Sequence, residues 1–363
     1  MPQGLDEQTG RLYYRANTLA KGMNLALSKR TLTEIESSSM YNVLSRFGMI
    51  IPSSQKSVLK WTLTEDIYYQ FIYDIVASQK YVMMGTTKCW VYTSTSPTEK
   101  TPATPFTNSA PIWKGATLMH NSLPVAVVTN FGNDYPHYYD GGAGLFVPLT
   151  NAPKARTFCG YLRRMFVGNV YDAGGSVWKP NRIQWTGFTD LTHWDYATYP
   201  SAGYLDLDDN LDPIYDIEIT SGNVLVVFRR KSVYVCYPGT LAENPIYEQY
   251  NNNHGLFAPN TVQRVGDAFY YWGEDDVYRF TTDGGSVSIG AKVRNEILSL
   301  YNPTYVLHAW SFIDILNKEY YLIIRVADVN QNPVYRAFVY NYEQDSWSAQ
   351  DFENYLSLGV WYA

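Results

Sequence analysis

The sequence predicts an all-β protein, and more specifically a β-propeller, from three observations. Aromatic residues make up 16% of the 363 residues and charged residues only 17%, and flat aromatic side chains pack well on the pleated surface of strands. Apolar runs alternate with short turns of Gly, Asn, Asp or Lys, which is the pattern of β-hairpins. Four or five hairpin units recur at irregular spacing, whereas a sandwich would show shorter and more even spacing. The number of blades stays open, because the repeat is too loose for a known repeat signature.

The hairpin units are recognisable because an apolar strand is followed, after a short polar turn, by an aromatic strand. They cover residues 80–94, 223–239 and 267–285, with a looser copy at 320–347 and a similar shape at 160–172. Alternate residues of a strand share one face. The pairs in the second strands are therefore expected to line one side of each sheet: Trp90 with Tyr92, Tyr234 with Cys236, Tyr278 with Phe280, and Tyr340 with Tyr342.

Few segments of the chain predict helices. Residues 291–302 read as one short helix, and residues 26–48 have mixed periodicity. Residues 93–111 are rich in Ser, Thr and Pro, which predicts a long loop or arm. We therefore expect an N-terminal arm or first strands over 1–40 that join the propeller, and a propeller body over 41–363 with an inserted loop near 93–111.

Charge and cysteine content exclude several classes of protein. The net charge is −6, and the sequence has no long Lys/Arg run with which to grip nucleic acid. The clusters at 163–164 and 229–231 lie inside strand-like runs, and we interpret them as solvated hairpin edges. Cys89, Cys159 and Cys236 are expected to be buried free thiols. No signal peptide and no membrane-spanning segment are expected, and the site of synthesis is expected to be a cytoplasm.

No residue is assigned a catalytic, cofactor-binding or metal-binding role, so the prediction is that the protein is not an enzyme and has no cofactor. The five histidines are scattered without zinc-ligand spacing. Asp206, Asp208, Asn210 and Asp212 stand at alternate positions and resemble the start of a calcium loop, but Leu211 and Ile217 replace the Gly and Glu that such a loop needs. We expect an acidic turn there. We also expect no carboxylate within an apolar, aromatic strand run, although a carboxylate pair formed between blades is left open.

A series of loose motifs in fixed order covers roughly two-thirds of the chain. The segments are "PVAVVTNFGNDYP", "PKARTFCGYLRRMFVGNV", "NRIQWTGFTDLTHWD", "SAGYLDLDDNLDPIYDI", "LVVFRRKSVYVCYPG", "HGLFAPNTVQRVGDAFYYWGEDDVYRF", "IGAKVRNEIL" and "YNYEQDSWS". This order resembles the β-propeller tail proteins of short-tailed bacteriophages. These proteins are the tail nozzle or hub, also called packaged-DNA-stabilisation proteins.

The resemblance implies a structural virion protein of the phage tail, made in the cytoplasm of a host bacterium. As such a nozzle, it would form a homohexameric ring beneath the adaptor of the head–tail connector, with a tail fibre or tail tip protein nearby. The ring would close the DNA channel and conduct DNA during ejection, without sequence-specific binding. Arg182, Trp185 and Trp194 match a family hallmark, so Trp185 is expected inside a blade and residues 190–195 in a connecting turn.

The alternative to the nozzle is a carbohydrate-active or carbohydrate-binding propeller, either a glycoside hydrolase or a lectin-like receptor-binding protein. A hydrolase should hold two carboxylates about 5–10 Å apart in a central cleft. A lectin should expose Trp or Tyr over a shallow pocket.

Overall fold

The chain folds into six four-stranded antiparallel sheets arranged as the blades of a β-propeller. The computed structural model describes residues 3–6, 11–14, 43–46, 49–52, 63–75, 78–92, 96–107, 112–172, 176–207, 212–239, 246–252, 254–329 and 332–352. Within them, each blade takes its four strands from one continuous stretch of chain. The predicted all-β propeller is confirmed. The number of blades, which the sequence left undetermined, is six.

Two hairpins precede the blades: β1 (Gln3–Asp6) with β2 (Arg11–Tyr14), and β3 (Val43–Arg46) with β4 (Met49–Pro52). Blade 1 is β5 (Tyr69–Ile75), β6 (Ser78–Met84), β7 (Cys89–Tyr92) and β8 (Thr98–Glu99). Blade 2 is β9 (Lys114–His120), β10 (Leu123–Thr129), β11 (His137–Tyr139) and β12 (Val147–Pro148). Blade 3 is β13 (Lys154–Tyr161), β14 (Arg164–Asp172), β15 (Val177–Trp185) and β16 (Gly203–Asp206).

The remaining three blades follow in the same way. Blade 4 is β17 (Ile214–Ile219), β18 (Leu225–Arg229), β19 (Val233–Pro238) and β20 (Ile246–Asn252). Blade 5 is β21 (Gln263–Val265), β22 (Ala268–Trp272), β23 (Val277–Thr281) and β24 (Gly285–Ser288). Blade 6 is β25 (Trp310–Asp314), β26 (Glu319–Val329), β27 (Asn332–Asn341) and β28 (Ser346–Phe352). Helix α1 (Arg294–Leu300) and two 3-10 turns, Pro259–Thr261 and Pro303–His308, lie between these strands.

The core consists of apolar clusters between neighbouring blades, because both faces of each middle strand are apolar. In β10, Val125 and Val127 pack toward blade 3, while Ala126 and Val128 pack toward blade 1. The same division by alternate residues holds in β18 and β22. These strands therefore read as continuous apolar runs, which is expected of strands covered on both faces.

The first strand of each blade is innermost, since first strands of neighbouring blades contact one another, as β5 contacts β9 and β13 contacts β17. The ring closes between blades 6 and 1, where Tyr69 of β5 packs against a buried cluster that includes Trp310 and Tyr321. Strand β3 lies beside β28, the outermost strand of blade 6. No helix in the described ranges is long and apolar enough to cross a membrane.

Several sequence expectations can be compared with these elements. The predicted helix at 291–302 is present as α1. In the Ser/Thr/Pro-rich segment, residues 96–107 are described; they include β8, and Phe106 is buried edge-to-face against Trp113. Most of the proposed 1–40 arm lies outside the described residues. Residues 26–42 of the mixed-periodicity segment also lie outside them.

The interpretation of both basic clusters as solvated edges is wrong for two of the arginines. Arg164 and Arg229 are buried. The guanidinium of Arg164 lies 4.0 Å from the ring centroid of Phe188, and that of Arg229 lies beside Tyr234. The difference is one of position, because Arg164 is the first residue of β14 and Arg229 the last residue of β18, whereas Arg163 and Arg230 lie in the adjoining turns.

Candidate functional site

A network of polar side chains lies at the axis, where the innermost strands present their free edges. Lys114 is the first residue of β9 in blade 2. Its Nζ donates to the backbone oxygen of Ile217 at 2.8 Å and to Glu218 Oε1 at 2.7 Å, and it contacts the carboxylate of Asp216. Those three acceptors belong to β17 in blade 4. The lysine side chain therefore reaches past blade 3 and joins two non-adjacent blades across the axis.

Two further blades join this network directly. Thr157 of blade 3 donates from Oγ1 to Asp216 Oδ1 at 2.7 Å. Tyr69 of blade 1 donates its hydroxyl to the Gly115 oxygen at 3.2 Å and accepts from the Gly115 N–H at 3.1 Å. Residues of four successive blades thus meet at one end of the axis.

The innermost strands of the other blades are linked in the same manner. Arg264 of blade 5 donates to the Ile219 oxygen of blade 4 at 2.6 Å. Gln263 of blade 5 donates to the Ser311 oxygen of blade 6 at 2.9 Å. Together with the apolar contact of Tyr69 between blades 6 and 1, these bonds form a continuous series of contacts around the axis.

The charges of the network are unbalanced, because one ammonium faces two carboxylates. The side chains of Lys114, Asp216 and Glu218 are 19%, 9% and 30% exposed. Burial raises the pKa of Asp216 to about 6, against the attraction of Lys114. Burial alone would lower the pKa of Lys114, but the two carboxylates hold it above its ordinary value. Burial also raises the pKa of Tyr69 to about 12.

This arrangement favours a structural role over catalysis. Both carboxylates contact one nitrogen, so their nearest oxygens are no more than about 6 Å apart, which is twice a hydrogen-bond length. That separation suits a glycosidase pair. However, Lys114 occupies the space between them, and a protonated lysine is neither a nucleophile nor a base. The network is equipped to bind blades together.

Sequence reasoning missed this network, and the expectation of no carboxylate in an apolar strand run is wrong. Asp216 lies in β17, whose sequence is IYDIEI, and it is buried with a raised pKa. The signal was present in that strand: two acidic residues at alternate positions, flanked by isoleucines, must share a face. Nothing in the spacing identified Lys114, 102 residues away, as their partner.

The stretch 181–195 lies in blade 3 and the connection after it. Trp185 is 2% exposed and stacks on Phe166 with ring centroids 5.5 Å apart. Trp194 is buried, and its Nε1 donates to the Leu191 oxygen at 2.7 Å. Trp185 packs inside the blade as predicted. Arg182 binds Asp206 through two hydrogen bonds of 2.6 and 2.8 Å, which pins β15 to β16.

The turn at 190–195 is organised by Asp190, as the prediction of a connecting turn implied. Its Oδ1 accepts from the N–H and the hydroxyl of Thr192 at 2.8 and 2.7 Å. Its carboxylate lies 3.6 Å from His120 Nδ1 of blade 2 and 3.4 Å from His193 Nε2. The turn therefore fastens blade 2 to blade 3, a contact that the scattered histidine spacing did not reveal.

The acidic segment at 206–212 is described at its two ends, and the aspartate at each end contacts an arginine. Asp206 binds Arg182, and Asp212 is buried where Arg229 and the Ser232 hydroxyl contact it. Residues 208–211 lie outside the described residues. In the part of the chain that the structure describes, no group of three or more His, Cys, Asp and Glu side chains is arranged to hold a metal ion. Cys89, Cys159 and Cys236 are buried free thiols, as predicted.

Known proteins resemble this chain in structure but not in sequence. No protein-family model matches the chain, and no curated protein sequence matches it. Among solved structures, virginiamycin B lyase from Staphylococcus aureus is 12% identical, with 82% of this chain and 88% of that chain covered and a TM-score of 0.49. The Pan2 WD40 domain of Neurospora crassa is 6% identical, with 81% and 80% covered and a TM-score of 0.45. An ancestral GH74 enzyme is 10% identical, with 82% and 40% covered and a TM-score of 0.41. These low identities give no basis for assigning a function, and the β-propeller architecture is evident from the six four-stranded sheets themselves.

Proposed function

We propose that this chain is a non-catalytic structural propeller, and that its role is that of the tail-nozzle subunit which its motif order resembles. In that role it forms a homohexameric ring beneath the phage adaptor, closes the DNA channel and conducts DNA during ejection. The observation that carries the structural part is the axial network of Lys114, Asp216 and Glu218.

The axial network supports a load-bearing role because it ties the blades where a propeller is otherwise open. The side chain of Lys114 crosses the axis from blade 2 to blade 4, and Thr157 adds blade 3. Side chains of blades 2, 3 and 4 are therefore bonded to one another. A body held together at its axis can transmit force from one face to the other.

The composition and the buried aromatics also support the nozzle. Trp185 and Trp194 are buried in blade 3 and its connection, so these hallmark residues serve packing. The chain carries 34 acidic against 28 basic residues. An acidic surplus would repel DNA phosphates and let DNA slide without adhering.

Electron microscopy of the tail of the source virion tests this proposal. We expect six copies of this propeller around the tail axis, in contact with the adaptor above. Localisation of the chain outside that ring, or its absence from the virion, would refute the nozzle. A second readout compares the recombinant chain alone with the chain mixed with the adaptor. Hexamers should form in the mixture, whether or not they also form in the chain alone.

A second candidate function is carbohydrate cleavage, which the spacing of Asp216 and Glu218 favours. For it to operate, Lys114 must leave the pair so that one carboxylate can donate a proton and the other can attack or activate water. The full-length protein and its Glu218→Gln variant should be incubated with a panel of bacterial surface polysaccharides. If the parent cleaves a polysaccharide and the variant does not, the protein is a hydrolase and the structural proposal is refuted. Equal inactivity of both is the result that the nozzle proposal expects.

A further inference from the structure

Two cations on one face of β13 lie at the boundary between blades 2 and 3, each beside aromatic rings. Lys154 Nζ is 5.4 Å from the ring centroid of Tyr135 and donates to the Asn133 oxygen at 2.8 Å. Arg156 Cζ is 4.7 Å from the centroid of Phe131 and 5.5 Å from that of Trp178. Since alternate residues of a strand share a face, the two cations stand about 7 Å apart along the strand. We call Lys154, Arg156, Phe131, Tyr135 and Trp178 the cationic cleft.

Neither cation of the cleft has an acidic partner among the described residues. Lys154 is bonded only to a backbone oxygen. Arg156 Nε is shielded from solvent and has no hydrogen-bond acceptor, which leaves the two terminal nitrogens as the donors at the mouth of the cleft. Buried or half-buried charges are normally paired, and this chain has six more acidic than basic residues to supply partners. Two neighbouring cations that have no counter-charge among the described residues offer a place for an added anion.

The turn after β10 that faces Arg156 has a left-handed backbone at two residues. Phe131 has φ +57° and Gly132 has φ +83°, and a bulky non-glycine residue rarely adopts the left-handed region. The turn also presses against Trp178, since a Cβ added to Gly132 would lie 2.5 Å from the indole. This turn places the Phe131 ring beside the Arg156 guanidinium, near which the Trp178 ring also lies.

We propose that the cationic cleft binds a small ligand that carries two oxyanion groups, either phosphate or carboxylate. The guanidinium of Arg156 offers its terminal nitrogens as a fork to one oxyanion, and Lys154 offers a second positive charge one strand repeat away. The aromatic rings beside each cation lower the local dielectric constant and so strengthen its interaction with an anion. Trp178 and Tyr135 are 37% and 44% exposed, so they can also cover the body of the ligand. This site goes beyond the proposed structural function and does not depend on it.

Calorimetric titration of the full-length protein tests the site. Inorganic pyrophosphate and succinate are the two probes, each at a fixed ionic strength set with chloride. We expect saturable binding with one site per chain for at least one probe. Arg156→Gln should weaken binding about tenfold or more, and Lys154→Gln by about three- to tenfold, as expected for the loss of charge-assisted hydrogen bonds. The matched control is Arg163→Gln, which removes an exposed arginine at the turn that ends β13 and should leave binding unchanged.

The outcomes separate the sources of the oxyanion and leave the site open to refutation. Saturation with pyrophosphate alone identifies a phosphoryl ligand, and saturation with succinate alone identifies a dicarboxylate. Arg156→Lys keeps the charge and loses the fork, so binding between that of the parent and that of Arg156→Gln confirms the bidentate contact. The proposal is overturned if neither probe saturates below about 10 mM, or if Arg163→Gln weakens binding as much as Arg156→Gln does. Unchanged melting temperatures of the variants without ligand show that the fold is intact.

Discussion

Replacement of Lys114 by Met should destabilise the protein strongly, because it removes a cation that faces two carboxylates at the axis. The Asp216 and Lys114 side chains are 9% and 19% exposed. Removal of one partner of a buried ion pair costs about 3–5 kcal/mol. Glu218 is 30% exposed, and solvent screens its interaction with Lys114. We therefore expect a loss of about 3 kcal/mol in the free energy of unfolding at pH 8, measured by urea denaturation.

The loss should depend on pH, with a sign that follows from Asp216. Its pKa in the folded protein, about 6, exceeds the unfolded value of about 3.9. Its contribution to stability is therefore full below about pH 4 and declines as pH rises through 6. The pKa of Lys114 is raised, so this lysine stays charged from pH 5 to 8 and contributes throughout that range. Without Lys114, the contribution of Asp216 to stability should decline more steeply as pH rises. The free energy of unfolding that the variant loses relative to the parent should therefore be about half as large at pH 5 as at pH 8.

Two comparisons make this prediction refutable. Lys88→Met removes an exposed pair with Glu99, whose atoms are 3.1 Å apart and whose side chains are 35% and 42% exposed; it should cost less than about 1 kcal/mol. The double variant Lys114→Met/Asp216→Asn should recover part of the stability at pH 8, because the uncompensated buried charge is gone. If Lys114→Met costs no more than Lys88→Met, or costs the same at both pH values, then the axial network does not act as described.

Three further predictions concern the packing of the blades. Trp185→Ala should lower the free energy of unfolding by about 3–5 kcal/mol, while Trp185→Phe should keep most of the stack on Phe166; urea denaturation distinguishes them. Asp190 has a depressed pKa, since burial alone would raise it but the Thr192 hydrogen bonds and two histidines lower it. Its contribution is present above about pH 4 and lost as pH falls through the folded pKa, so Asp190→Asn should flatten the stability profile between pH 5 and 3. Trp310→Ala should loosen the closure between blades 6 and 1, and hydrogen exchange should accelerate in β5 and β25 but not in blade 3. Equal acceleration in all blades would contradict that account of ring closure.

The hairpins could be predicted from the sequence because their signals are local. The run 223–239 alternates two apolar faces around a polar turn, and β18 and β19 form there. Buried pairing of Arg229 was not predictable from the same run, because it depends on Asp212, which arrives from the preceding connection. A charge cluster in a strand looks solvated until the partner across the fold is known.

The axial network could not be predicted for a similar reason, although half of its signal was visible. Asp216 and Glu218 alternate in an apolar strand, which requires a buried acidic face and hence a counter-charge. The counter-charge comes from a blade two positions earlier, and only the closure of six blades into a ring brings Lys114 to it. The number of blades was itself open in the sequence, so the position of the axis and the residues that meet there were open as well.

Lys114 at the axis and the cations of the cationic cleft differ in the partners that surround them. At the axis, Lys114 is surrounded by acceptors from its own chain, so an anionic ligand would have to displace two carboxylates to reach it. In the cationic cleft, Nε of Arg156 has no hydrogen-bond partner among the described residues, so an oxyanion would displace no carboxylate there. Chemistry at the axis, in contrast, would cost contacts between blades. A protein with this distribution can take up an anion beside β13 while the contacts of Lys114 with β17 stay in place.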